Sequence, residues 1–336
     1  MSSTINAIST TSTTDSAAIA TMTAMSKHEK KDEKKKKQDV QHPGVVRFWL
    51  EFYRMTPKVH LFGQDIGFLM TCFVLLYIVR HCCWQILVHS FDWPSSSTDS
   101  NTTNTWEAAA CAAGIFHTLN LVPVLGYLLW SGGPLRPSAP MSAYPKWWQH
   151  GVDAMMQLCC AHMIHDALFG VLALRYKDDH TFQLNDMDPI YLAHHAITFS
   201  FMMSNLYLQT GQTTGIVCMF WGEMTNPVFN ANTMAQLGLG LDCCNGVWAA
   251  QARTVLELAN AALFVPIRGI IFPFFSVWFM VSFYFGEGTK TIPLIFRLLW
   301  SVCIWGIVMG SLPFVPEQLH MLLSYSSGQE QGGDEL

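Results

Sequence analysis

The chain has 336 residues, of which 51% are hydrophobic and only 13% charged, with a mean hydropathy of +0.25. An ordinary soluble domain carries about 25% charged residues, so this composition excludes a soluble globular protein and predicts an all-α polytopic membrane protein. Ten of the 19 Lys and Arg lie before residue 60; beyond them no basic surface remains, and nucleic-acid binding is not expected.

Residues 1–43 are Ser/Thr/Ala-rich and then run KHEKKDEKKKKQ, a disordered basic tail with no apolar core of the signal-peptide kind behind its charges. Residues 44–60, GVVRFWLEFYRMTPKVH, mix basic and aromatic residues as an interfacial amphipathic segment does. Seven transmembrane helices are predicted near 63–89, 108–130, 152–174, 189–209, 213–234, 252–284 and 291–315. The sixth holds Pro266 and Pro273 and is expected to kink. Residues 316–336 read as a flexible tail ending in Gly333-Asp334-Glu335-Leu336, which resembles a luminal retrieval signal with its first position changed. The ten cysteines lie mostly inside apolar stretches, where they act as small apolar residues.

Chemistry concentrates at 188–232. Asp188-Pro189 makes a good helix start, and His194 and His195 follow about two turns on. Adjacent helical residues point about 100° apart, so the two rings have different tasks. In the next span Glu223, Asn226 and Asn230 share a face. Pro227 has no N–H, so the Glu223 carbonyl loses its usual partner and must find another in the membrane. The third span adds His162, His165 and Asp166, with His162 and Asp166 one turn apart on one face. Arg268, in FVPIRGIIFP, is an isolated cation at membrane depth that calls for a carboxylate such as Glu223, Asp166 or Glu257. The bland reading of each is an interhelical packing contact. Trp106, Trp130, Trp147 and Trp148 read as interface anchors. Imidazole suits iron, but the HxxHH box of di-iron lipid oxygenases is missing, so no bound metal is expected.

The linker Thr210-Gly211-Gln212 makes the fourth and fifth spans antiparallel neighbours. His195 lies about 15 residues before it and Glu223 about 11 after, a height difference of roughly 6 Å. A His195–Glu223 contact across one cavity is therefore expected.

These motifs together resemble the TLC (TRAM–LAG–CLN) domain: His117 in GIFHTL, Asp166 in AHMIHDALFG, the pair in PIYLAHHAIT, GEMTNPVFN, and Arg268 with Pro273 in PIRGIIFPF. The likeness runs over 106–315. It implies six helices bundled around a lipid-accessible cavity, preceded by an extra span at 63–89, in an endoplasmic-reticulum or other secretory-pathway membrane. EMTNPVFN resembles the TLC domain-containing transmembrane subgroup. Ceramide synthases are similar at the double histidine and Arg268, but carry aspartates where this chain has Glu223 and Asn226, and a homeobox-like insert that it lacks.

The resemblance implies handling of a membrane lipid: acyl transfer from acyl-CoA to an amine or hydroxyl lipid with no bound cofactor, or lipid binding that regulates membrane composition. Candidate catalytic residues are His194, His195, Asp166 and Glu223; candidate substrate-binding residues are His117, His165, Asn226, Asn230 and Arg268. A trafficking receptor and a metal-dependent lipid oxygenase are the alternatives. No feature specifies an oligomeric state.

Basic-residue bias places the N-terminus in the cytosol and the C-terminus in the lumen. Glycosidase treatment is expected to change mobility through Asn101, whose Asn101-Thr102-Thr103 is an acceptor sequon. Protection of the 1–43 tail from protease in sealed microsomes inverts this assignment.

Overall fold

The structure is a computed structural model that describes residues 42–61, 63–93, 102–171, 174–176, 182–184, 189–239, 241, 244 and 246–327. The basic tail up to 41, the Asn101 sequon and the GDEL end lie outside the described residues. The helices belong to the unit Val45–Leu336 and the residue before it.

Helix α1 (Gly44–Met55) buries Val46, Trp49, Leu50 and Tyr53, spaced i, i+3, i+4, i+7, and exposes Phe48 and Met55 on its other side. The buried face docks rather than only lying on a surface: Trp49, Phe52 and Tyr53 meet Phe68 edge-on at 6.1, 5.6 and 5.2 Å. A two-residue hairpin, β1 (His60–Leu61) and β2 (Gln64–Asp65), turns at Gly63. Asp65 accepts from the amides of Val59 and Gly67 and pairs with Lys58 at 2.8 Å. Burial alone would raise its carboxyl, but the Lys58 ammonium and the two amides outweigh that and hold it below its ordinary range.

The long helices follow. They are α2 (Gly67–Ser90), α3 (Thr102–Ser131) and α4 (Lys146–Asp166), the last running into a π-helical turn, Ala167–Val171. Then come the hairpin strands β3 (Leu174–Tyr176) and β4 (Phe182–Leu184), α5 (Pro189–Leu208), α6 (Gln212–Glu223) and α7 (Asn226–Leu237). Helix α8 (Val247–Pro266) continues through a second π-turn (Ile267–Ile271) into α9 (Phe272–Phe285). A short α10 (Gly288–Thr291), α11 (Leu294–Ser311) and α12 (Phe314–Ser326) complete the order.

Four described stretches are long and apolar enough to cross a membrane: Gly67–Ser90, Thr105–Ser131, Val247–Phe285 and Leu294–Ser326. The protein is a polytopic membrane protein. Of these four, the α3 stretch is 56% buried within the protein, against 17–22% for the others. Helix α3 is the most enclosed of the four, packed on α2, α4, α6 and α7. The outer helices turn Met70, Val74, Ile78, Phe274, Val277, Val281, Leu298 and Val302 outward, an apolar surface that hydrocarbon tolerates and water does not.

The remaining predicted spans coincide with α4, α5 and the pair α6–α7, which carry the polar residues of the interior. Several expectations change. The third predicted span ran to 174, whereas the α-helix gives way to a π-turn after Asp166 and then to strand β3. The fifth is broken at Met224-Thr225, because a proline ring at 227 clashes with the carbonyl four residues earlier. The kink expected in the sixth is the π-turn between Pro266 and Phe272. The chain after 316, expected to be flexible, is helical to Ser326. Trp148, expected as an anchor, is 1% exposed, stacks on Tyr144 at 4.0 Å and donates to the Leu128 carbonyl at 3.0 Å.

One end of the bundle is tied by the α5–α6 turn. Met141 N–H donates to the Gln209 carbonyl and Gly211 N–H to the Ala139 carbonyl, at 2.9 and 3.3 Å. Gly211 holds φ +78°, and a Cβ there would stand 2.5 Å from the Trp300 ring. Gly211→Ala is expected to cost about 1–2 kcal/mol for the left-handed backbone and about 1–3 kcal/mol for overpacking. It should therefore lower the melting temperature in detergent. Gly306→Ala, where a Cβ meets nothing within 4 Å, is expected to leave it unchanged or raise it slightly.

Candidate functional site

Asp166 is the last residue of α4 before the π-turn, and His195 sits two turns into α5, the helix packed against α4. His195 Nε2 donates to Asp166 Oδ2 at 2.9 Å, with the two residues 3% and 7% exposed. His194 is half-buried beside it, its ring at 87° to that of His195 with centroids 5.6 Å apart. The two rings thus have different surroundings, as their 100° separation requires.

A second polar group forms where α3 meets the α6–α7 break. Glu223 Oε2 accepts from Asn226 Nδ2 at 2.7 Å and from Thr118 Oγ1 at 3.4 Å, and lies 4.0 Å from His117 Nδ1. His117 is fully buried and stacks on His162 at 4.1 Å and 18°. The stack brings α3 and α4 together between the two carboxylates. His165 points elsewhere, against Phe73 and Phe169 at 6.1 and 5.3 Å.

The two groups share one cavity of about 560 Å³. Asp166, His162, His194, His195, Glu223, Asn226, Asn230 and Arg268 line it, among apolar residues from Ala110 to Ile307. His117 and His165 stand behind the wall and not in it. The mixture of an apolar lining and a few converging polar groups is what an amphipathic ligand requires. Among the described residues no three His, Cys, Asp or Glu side chains converge as a metal ion needs.

Two expected contacts are corrected. His195 pairs with Asp166, not Glu223. Both line the cavity, but His195 is turned toward α4, and Glu223 is held by Asn226 and Thr118. Equal height says nothing of rotation about the helix axis. Arg268 meets a backbone carbonyl rather than a carboxylate: Nη2 donates to the Gly222 oxygen at 2.7 Å. The helix break at Met224-Thr225 exposes that carbonyl, one residue earlier than expected, and Glu257 is bonded instead to Gln236. Thr118 and Glu107 also belong to this neighbourhood and were not singled out from sequence. Thr118 was masked by its ordinary apolar context, whereas Glu107, a lone acid at the start of a span, carried a readable signal.

These observations define the class: a polytopic membrane protein whose interior holds an acid–histidine pair on the wall of a cavity. The chain belongs to the TLC-domain family, since the family's model (TRAM, LAG1 and CLN8; TLC domain) matches residues 116–317. Neither the curated proteins nor the solved structures searched give a significant match.

Glu223→Ala would strand the Asn226 amide, at about 1–3 kcal/mol for a buried group without a partner, whereas the Thr118 hydroxyl keeps the Gly114 carbonyl at 2.9 Å. Its melting temperature in detergent should fall clearly. Glu223→Gln keeps an acceptor oxygen and should fall much less. Equal losses in the two variants would mean that the negative charge, not the acceptor, is what Glu223 supplies.

Proposed function

We propose that the protein transfers an acyl group from acyl-CoA to an amine or hydroxyl of a membrane lipid bound in the cavity. The observation that carries this reading is the 2.9 Å His195–Asp166 hydrogen bond on the cavity wall. The imidazole takes the proton as the lipid nitrogen or oxygen attacks the thioester carbonyl; the new C–N or C–O bond forms and the C–S bond breaks. The proton then passes to the leaving thiolate. Asp166 orients the ring and stabilises the imidazolium, the role a buried carboxylate plays beside a histidine base. Arg268, on the same wall, balances charge.

The rest of the reading follows from the same layout. Seven membrane crossings, formed by α2, α3, α4–π, α5, α6–α7, α8–α9 and α11–α12, accommodate the chain, six of them enclosing the cavity. The sequence GEMTNPVFN supports the TLC domain-containing transmembrane subgroup over ceramide synthases, in an endoplasmic-reticulum membrane.

Lipid binding without chemistry is the second reading. It is favoured by Glu223, whose Oε2 is already occupied by Asn226 and Thr118 and which therefore acts as a structural anchor of the cavity.

Untargeted lipidomics on a deletion strain complemented with wild type, His195→Ala or Asp166→Asn separates the two. Acyl transfer predicts that both variants lose the wild-type product, with initial rates on purified protein lower by about 10²–10⁴-fold. Wild-type lipid composition restored by either variant removes the catalytic reading.

A further inference from the structure

Helix α2 lies outside the matched family segment 116–317, yet it reaches the π-turn that follows Asp166. Phe73, Tyr77 and Arg80 follow i, i+4, i+7 spacing and form one stripe of the helix. All three converge on Phe169 of the π-turn. Its ring stands 6.0 Å from Phe73, 5.2 Å from Tyr77 and 5.6 Å from the Arg80 guanidinium carbon. Phe169 also contacts His165 at 5.3 Å, and Phe73 contacts the same imidazole at 6.1 Å.

Arg80 is the unexpected member. It is 4% exposed, and its Nε has no hydrogen-bond partner among the described residues. Its guanidinium lies over two aromatic rings, that of Phe169 and, at 5.1 Å, that of Trp106 of α3. Trp106 is in turn stacked on Trp84 at 5.1 Å and 16°. A cation at membrane depth costs free energy that packing alone does not require, since a methionine would fill the same slot.

Phe169 is three residues beyond Asp166. The π-turn carries one extra residue in its loop, and such turns are rare and concentrated at functional sites. An α-turn and a π-turn after Asp166 differ by one residue, about 100° of helix rotation, so with Phe169 anchored they would aim the Asp166 carboxylate differently.

We propose that the α2 stripe is a latch: Phe73, Tyr77 and Arg80 clasp Phe169, hold the turn in its π form, and thereby position Asp166 against His195. Arg80 is a positioning residue, acting through Phe169. The latch rests on the reading of Asp166–His195 as the working pair, but its test does not depend on turnover.

The test uses the full-length protein in lipid nanodiscs, labelled with ¹⁵N-histidine. The hydrogen-bonded imidazole proton of His195 is assigned by its loss in His195→Gln. Arg80→Met keeps the volume and removes the charge; Phe169→Leu keeps an apolar residue and removes the ring. Both variants are expected to shift or abolish the His195 signal while remaining monodisperse. Tyr77→Leu, which loosens the same clasp, replaces either variant that fails to stay folded. A His195 signal unmoved in folded Arg80→Met or Phe169→Leu overturns the latch, whatever the protein's activity. A wild type with no acyl transfer, but with a signal that moves in both variants, removes the catalytic reading and leaves the latch standing. With an active wild type, kcat should fall by about 10²-fold in Arg80→Met at unchanged KM, as for a displaced catalytic group.

Discussion

A carboxylate buried among apolar helices needs a donor within reach, and for Asp166 that donor is His195 at 2.9 Å. The bond restrains the layout around it. It ties the end of α4 to the second turn of α5, so the two helices keep a shared height. It also requires the backbone after Asp166 to leave the α-helix in a defined way, which the π-turn supplies. Helix α3 then closes the cavity from the side, placing Thr118 near Glu223 and His117 against the His162 ring. Moving any of these helices along its axis by one residue would separate at least one of these contacts.

The break between α6 and α7 is a second constraint, and it begins in local chemistry. Pro227 cannot continue the helix from Glu223, so the chain turns at Met224-Thr225 and a carbonyl is left over at Gly222. In the membrane interior no water is at hand to satisfy it. Arg268, arriving from a π-turn far along the chain, meets that carbonyl at 2.7 Å, and its ring neighbour Phe272 lies 5.8 Å away. A broken helix and a buried cation are each unfavourable alone. Together they offset part of each other's cost, and both end up on the cavity wall. Two of the bundle's irregularities, the α6–α7 break and the Ile267–Ile271 turn, are thereby fastened to each other.

The family segment begins at residue 116, yet α1 and α2 are integral to the same core. Trp49, Leu50, Phe68, Cys72 and Leu76 are buried with α3 and α4 in one apolar cluster. Leu69 N–H also donates to the Gln157 side chain of α4. Helix α2 is therefore packed as part of the bundle.

The chain by itself determined the membrane class, the order of the apolar segments, the start of α5 at Pro189, the disruptions at Pro227 and Pro266, and the residue types gathered in the cavity. Each of these rests on a local property: hydropathy along about 20 residues, a missing N–H, or the spacing of one helix face. Tertiary structure alone decided that His195 turns to Asp166 and not to Glu223, that Arg268 meets a carbonyl, that His117 and His165 stand behind the cavity wall, and that Arg80 belongs to the neighbourhood at all. The rise per residue sets how high a side chain stands. Which neighbour it meets depends on the rotation of its helix about its own axis, and that angle is set by the packing of α3, α4 and α5 together.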